Sequence, residues 1–338
     1  MTLKTSICTA AFVLTLSTAA HAETMTFSHF VPPTHRVHHG VELWAKSIEE
    51  ASNGELKVRI FPAQQLGKAQ DHYDMIAAGQ VDAAWFVPGY SAGRFPIVDA
   101  GELPFMISNA PAGARALHEW YADIAKEEMK EIHFCAFATH DPGRIHTAQK
   151  VETVEDMKGI KIRPANATIG NYLADLGAVP VKLSAPEARQ GVERGVVDGA
   201  TFPWNTIINF GLAKKLTYHL DMPLYVPMAI YGINQAYYDG LSPELRKVID
   251  DHCNADWSEK LTDDWASWEI EGRADLEKMG GHEFTNVSGD ALKPWTDASK
   301  GVYAAWAESV KAKYPDKDPA ALLEDLKTRL AEQGASGF

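Results

Sequence analysis

Gly159-Ile160-Lys161-Ile162-Arg163-Pro164-Ala165 alternates apolar and basic residues and stops at a proline. A period of two is the mark of a strand with one buried face, and proline cannot continue a ladder. The stretch echoes Lys57-Val58-Arg59-Ile60-Phe61-Pro62-Ala63, about a hundred residues earlier. A second echo runs alongside. Gly195-Val196-Val197-Asp198-Gly199-Ala200-Thr201-Phe202 repeats Gly79-Gln80-Val81-Asp82-Ala83-Ala84-Trp85-Phe86, keeping Gly, Val, Asp and Phe in place.

Working outward from the earlier copy, Glu23–Val31 reads as a strand closed by the loop Pro32-Pro33-Thr34. Val37, Val41, Trp44, Ile48 and Ala51 then fall at helical spacing until Asn53-Gly54. Asp71–Ala78 is helical, Gly79 breaks it, and Val81–Val87 is a nearly continuous apolar strand. Strands alternating with helices over short connections imply a parallel sheet covered by helices. The same order met twice implies two α/β lobes, and the cleft between such lobes commonly takes a small ligand.

Beyond the second copy, Ser242-Pro243-Glu244 is a helix start, with Ser as N-cap and Pro in the first turn. The pattern predicts one helix to Met279, kinked at Gly272 and long enough to touch both lobes. Leu292–Lys313 and Pro319–Glu332 also read as helices.

Residues 1–22 differ from the rest. Lys4 precedes an apolar run, and Ala20-His21-Ala22 fits a small-x-small cleavage site, so a secretory signal cleaved after Ala22 is expected. Without it the chain carries 31 basic and 45 acidic residues, a net charge of −14. That charge argues against nucleic acid and anionic membrane surfaces as partners, and the sequence predicts no direct membrane insertion. An anionic ligand would need a local cation. Cys135 and Cys253 remain once Cys8 is removed; a disulfide and two buried thiols are both open.

Arg163 is the leading candidate for that cation. It ends its strand, and in open parallel sheets ligands bind beyond the carboxyl ends. Asn166-Ala167-Thr168 begins a helix beside it, and a guanidinium grips a carboxylate through two parallel hydrogen bonds. Phe202, Trp204 and Asn205 crowd the neighbouring strand end, and Tyr90 closes the matching stretch of the first lobe. Aromatic walls around one cation suit an apolar carboxylate. His35 sits in an early loop where it could touch a ligand. His35 and His39 have the spacing of a zinc helix, but Arg36 occupies the place of the Glu such a helix needs. No nucleophile elbow, phosphate loop or dinucleotide fingerprint occurs, and neither metal nor cofactor is expected.

Together these stretches resemble the substrate-binding proteins of TRAP (tripartite ATP-independent periplasmic) transporters. The resemblance is carried by Ser28-His29-Phe30-Val31-Pro32-Pro33-Thr34-His35, Gln65-Leu66-Gly67, Gly79-Gln80-Val81-Asp82, Arg94-Phe95-Pro96 and Glu102-Leu103-Pro104-Phe105. It continues through Asp156-Met157-Lys158-Gly159-Ile160-Lys161-Ile162-Arg163 and Gly195-Val196-Val197-Asp198-Gly199, and so covers most of the chain. It implies an α/β, type II-like periplasmic binding fold in two lobes, with mixed sheets flanked by helices and a long helix crossing both. The lobes would be 23–143 plus about 232–270, and 144–231 plus about 271–338. It also implies a small organic acid ligand, a TRAP membrane permease as partner, and the periplasm as location. The family's carboxylate-clamping Arg falls on Arg163. A second Arg, used by sialic-acid-binding relatives, aligns with Arg144. An Asn of those relatives aligns with Phe202, a departure that turns the expectation from sugar acids towards an aromatic or branched monocarboxylate. The rival expectations are a secreted hydrolase using His35 or His140 as a base, and a ligand-sensing partner of a receptor.

Overall fold

The computed structural model describes residues 22–337. The expected signal sequence lies outside the described residues, apart from Ala22. Two sheets form. In the first, the order is β2 (Leu56–Phe61), β1 (Glu23–Ser28), β3 (Ala83–Phe86), β10 (Ile230–Asn234), β4 (Ile132–Phe137). The expected strands β1, β2 and β3 are parallel, while β10 runs antiparallel to both β3 and β4. In the second, the order is β11 (Glu283–Asn286), β9 (Tyr218–Tyr225), β5 (Gly143–Thr147), β8 (Gly199–Phe202), β6 (Lys161–Arg163), β7 (Val179–Pro180). Here β7, β6 and β8 are parallel, as are β9 and β11, and β5 is antiparallel to β8 and β9. These are the mixed sheets of a two-lobe binding fold.

Helix Arg36–Ala51 shows how the sequence covers a sheet. His35 caps it by accepting the Val37 amide, and Val41, Trp44 and Ile48 form its fully buried face. Trp44 meets Phe27 of β1 with ring centroids 5.7 Å apart. The two sequence echoes also have a common structure. Gly79 and Gly195 both take positive φ (65° and 69°), which glycine reaches without steric cost. Asp82 then accepts the Thr26 amide at 2.7 Å, and Asp198 the Lys161 amide at 3.2 Å. In each lobe the turn after a helix fastens the adjacent strand.

The chain passes between the sheets through residues 138–142, between β4 and β5, and 226–229, between β9 and β10. These crossovers are bonded to each other, Ala138 N to Ala229 O at 2.9 Å and Thr139 Oγ1 to Pro227 O at 2.5 Å.

The predicted helix from Ser242 to Met279 is two helices, Pro243–Asp251 and Ala255–Met279. They part at His252-Cys253-Asn254, where Asn254 accepts the Trp257 amide as a new N-cap and Cys253 is tied to Cys135 of β4 by a disulfide. The second, at about 1.5 Å per residue, is nearly 40 Å long. It packs on helices Arg36–Ala51 and Ala110–Glu128 and on helix Trp204–Asn209 beside the second sheet. Gly272 is no kink. A Cβ there would stand 2.4 Å from the Asn205 nitrogen, so glycine is what lets helix 204–209 lie against the long helix. The expected helix 292–313 is likewise broken, at Ser299, whereas Pro319–Glu332 forms as read. No helix among the described residues is long and apolar enough to cross a membrane.

Candidate functional site

The carboxyl ends of β1, β3, β6 and β8 converge on a cavity enclosing about 460 Å³, its mouth included. Arg163, the last residue of β6, lines it and is only 2% exposed. Its Nε donates to Leu183 O (3.0 Å), Nη1 to Thr201 O (3.2 Å) and Nη2 to Tyr90 Oη (3.2 Å). The guanidinium lies 4.3 Å from the centre of the Phe202 ring. All these partners are neutral. A buried cation without a counterion costs free energy that an incoming anion would recover.

The walls are mostly aromatic. Phe30 and Trp85 pack with centroids 4.6 Å apart, and Tyr90, Phe202, Phe210, Tyr225 and Trp265 complete the lining. Tyr90 links the lobes: besides Arg163 Nη2, its oxygen accepts the Ala185 amide at 3.2 Å. His35 does the same, its Nε2 3.1 Å from Thr206 Oγ1. Because Nδ1 of His35 accepts the Val37 amide, Nε2 must carry the proton and donate it to Thr206. The Thr206 hydroxyl in turn donates to Glu269 Oε1. Glu269, fully buried on the long helix, also accepts the Asn205 and Thr206 amides and the Trp265 indole. Burial pushes its pKa up to about 7. The same burial holds His35 and His140 down at about 3. In this tautomer His35 has no lone pair for Thr206, so the pair is not arranged as base and nucleophile.

Of the residues singled out from the sequence, Arg163, Phe202, Tyr90 and His35 meet at the cavity. Arg144, Trp204 and Asn205 do not line it. Arg144 is paired with Asp141 at 2.5 Å and Asp221 at 3.7 Å. Trp204 packs on the far side of its strand end, against His146, His219 and Phe284. Asn205 holds the long helix, through Trp268 O as well as Glu269. His140, read from the sequence only as the base of a hydrolase, also lines the cavity, as does Phe30 of the family-like stretch 28–35; Tyr225 and Trp265 come from separate places in the chain, and no local pattern marks them. Among the described residues no group of three His, Cys, Asp or Glu is placed to hold a metal.

Residues 27–309 match the family model for bacterial extracellular solute-binding protein, family 7. The chain belongs to that family. This solute-binding protein is similar to a TRAP solute-binding protein from Rhodoferax ferrireducens T118 crystallised with copurified benzoate: 29% identity, TM-score 0.87, 92% of this chain and 98% of that one covered. It is also similar to a marine metagenome TRAP solute-binding protein specific for aromatic acid ligands, solved with metahydroxyphenylacetate: 32% identity, TM-score 0.86, coverage 92% and 99%. A sequence relative is the 2,3-diketo-L-gulonate-binding periplasmic protein YiaO of Escherichia coli K12, 26% identical over 68% of this chain and 71% of that protein. The solute-binding protein thus sits with TRAP receptors in both sequence and fold, and the family is one of receptors.

Proposed function

We propose that this protein is the periplasmic receptor for an aromatic monocarboxylate, which it encloses by lobe closure and hands to a TRAP-type permease. The observation that carries the reading is Arg163: a buried guanidinium, facing no carboxylate among the described residues, inside an aromatic-walled cavity. A carboxylate there would replace water with charge-assisted hydrogen bonds, and the ring would be held among Phe30, Trp85 and Trp265. The similar proteins that hold benzoate or metahydroxyphenylacetate support an aromatic solute. Export with cleavage after Ala22 and a cleft between lobes 23–143 plus about 232–270 and 144–231 plus about 271–338 belong to the same proposal. The disulfide fits an oxidising compartment.

Calorimetry of the mature protein with benzoate and related acids tests it. Arg163→Ala should weaken binding at least about tenfold, since a hydrogen bond to a charged group contributes about 1.5–3 kcal/mol. Equal affinity in the variant would remove Arg163 from the site. Tight binding of a neutral sugar and of no acid would refute the reading as a whole.

A further inference from the structure

One side chain at the cavity is fixed as an acceptor by its own backbone contact. His140 lies on the crossover between β4 and β5 and lines the cavity, only 5% exposed. Its Nδ1 is 2.5 Å from the backbone oxygen of Asp141. A carbonyl can only accept, so Nδ1 carries the ring's proton and Nε2 is a bare lone pair. Nothing among the described residues donates to that nitrogen. Burial, with the Arg144 and Arg163 charges adding to it, keeps the ring neutral.

The other polar side chains at the cavity either present hydrogens or, like His35 and Thr206, have theirs already placed. Arg163 has N–H groups beyond the three already given to Leu183, Thr201 and Tyr90. The Tyr90 oxygen receives two N–H groups, which leaves its own hydrogen to give. Tyr225 Oη is buried and makes no hydrogen bond among the described residues. His35 is engaged with Val37 and Thr206 at its two nitrogens. An unsubstituted aryl carboxylate, which has acceptors only, satisfies these donors and leaves the lone pair of His140 buried and unpaired.

We propose that the natural solute is a hydroxylated aromatic monocarboxylate whose O–H donates to His140 Nε2. The inference rests on the reading that Arg163 holds the carboxylate. It adds a second polar anchor from the segment that joins the two lobes, so that solute chemistry and closure meet in one residue.

The test is calorimetry on mature protein stripped of bound solute by unfolding and refolding. Benzoate and phenylacetate are compared with 3- and 4-hydroxybenzoate, 3-hydroxyphenylacetate and mandelate, and with the O-methyl ether of each hydroxy acid. At least one hydroxy acid should bind tenfold or more tighter than both its parent and its ether. That ratio should collapse to below about threefold in His140→Leu and return in His140→Gln, whose amide oxygen restores an acceptor. Parent, ether and hydroxy acid binding alike would overturn the proposal without touching the aromatic-acid reading. So would a ratio that survives His140→Leu. The ether comparison decides on wild-type protein alone if the variants do not fold. Failure of every aromatic acid to bind would end the underlying reading, and this one with it.

Discussion

Arg163 is not the only ionisable group that the fold takes out of water. Nine histidines have lowered pKa values, each chiefly through burial, among them His29, His35, His140 and His146 at about 3 and His219 at about 2. His146, His219 and His282 form a chain of ring-to-ring hydrogen bonds of 2.8 and 2.9 Å. In the native protein these rings stay neutral below the usual 6.5, those of His29, His35, His140 and His146 down to about 3, whereas in the unfolded chain they take up protons near 6.5. The unfolded state therefore binds more protons as pH falls from about 6.5 towards 3, and stability is lost over that window. Buried Asp99, Glu102, Glu128, Asp141 and Glu269 are shifted up and act in the opposite sense, but they are fewer. The urea midpoint should fall between pH 7 and 4.5; an unchanged or rising midpoint contradicts the assignment of neutral buried rings.

At the scale of elements, two sites lend themselves to substitution. Gly272→Ala should gain about 1 kcal/mol in helix propensity yet lose more, because its Cβ would strike the backbone of Trp204 and Asn205 rather than a movable side chain. A net destabilisation of about 1–3 kcal/mol is expected in urea denaturation, and a stabilised variant would show that the two helices can part freely. Cys253→Ser should cost about 2–5 kcal/mol, since the disulfide closes 118 residues of sequence separation; an unchanged midpoint would mean that the bond constrains little. Much of this scale was legible in the sequence. Period-two runs placed β2 and β6, the echo of residues 79–86 placed β8, and the Gly…Asp echoes marked turns that proved alike. Arg163 could be found because a strand end is a local feature. What stayed hidden depends on contacts distant in sequence. Gly272 reads as a kink until helix 204–209 is laid against it. Asn254 caps a helix that the apolar pattern runs straight through. Trp204, two residues beyond Phe202, was read into the cavity by proximity, but helix geometry turns it towards His146 and His219. Arg144 and its partner Asp141 lie three residues apart, so that ion pair was available to a reader who weighed the nearby acid.

For the whole molecule, the decisive contrast is between a chain of net charge −13 and the one arginine or lysine that is buried among the described residues, Arg163. The opposing lobes already touch through Tyr90 with Arg163 and Ala185, and through His35 with Thr206. The cation is therefore not displayed to solvent in this conformation, and it cannot draw solute from a distance. An approaching carboxylate meets repulsion first and Arg163 only at contact. Capture should accordingly speed up with added salt, which screens the long-range field over a Debye length of about 10 Å at 0.1 M. Trp85 and Trp265 at the cavity give stopped-flow fluorescence a signal for this. An association rate that falls with ionic strength would mean that the mouth itself is electrostatically attractive. If the rate rises as expected, the receptor loads fastest in brine and slowest in fresh water, and the burial of one arginine sets a salinity preference for nutrient uptake.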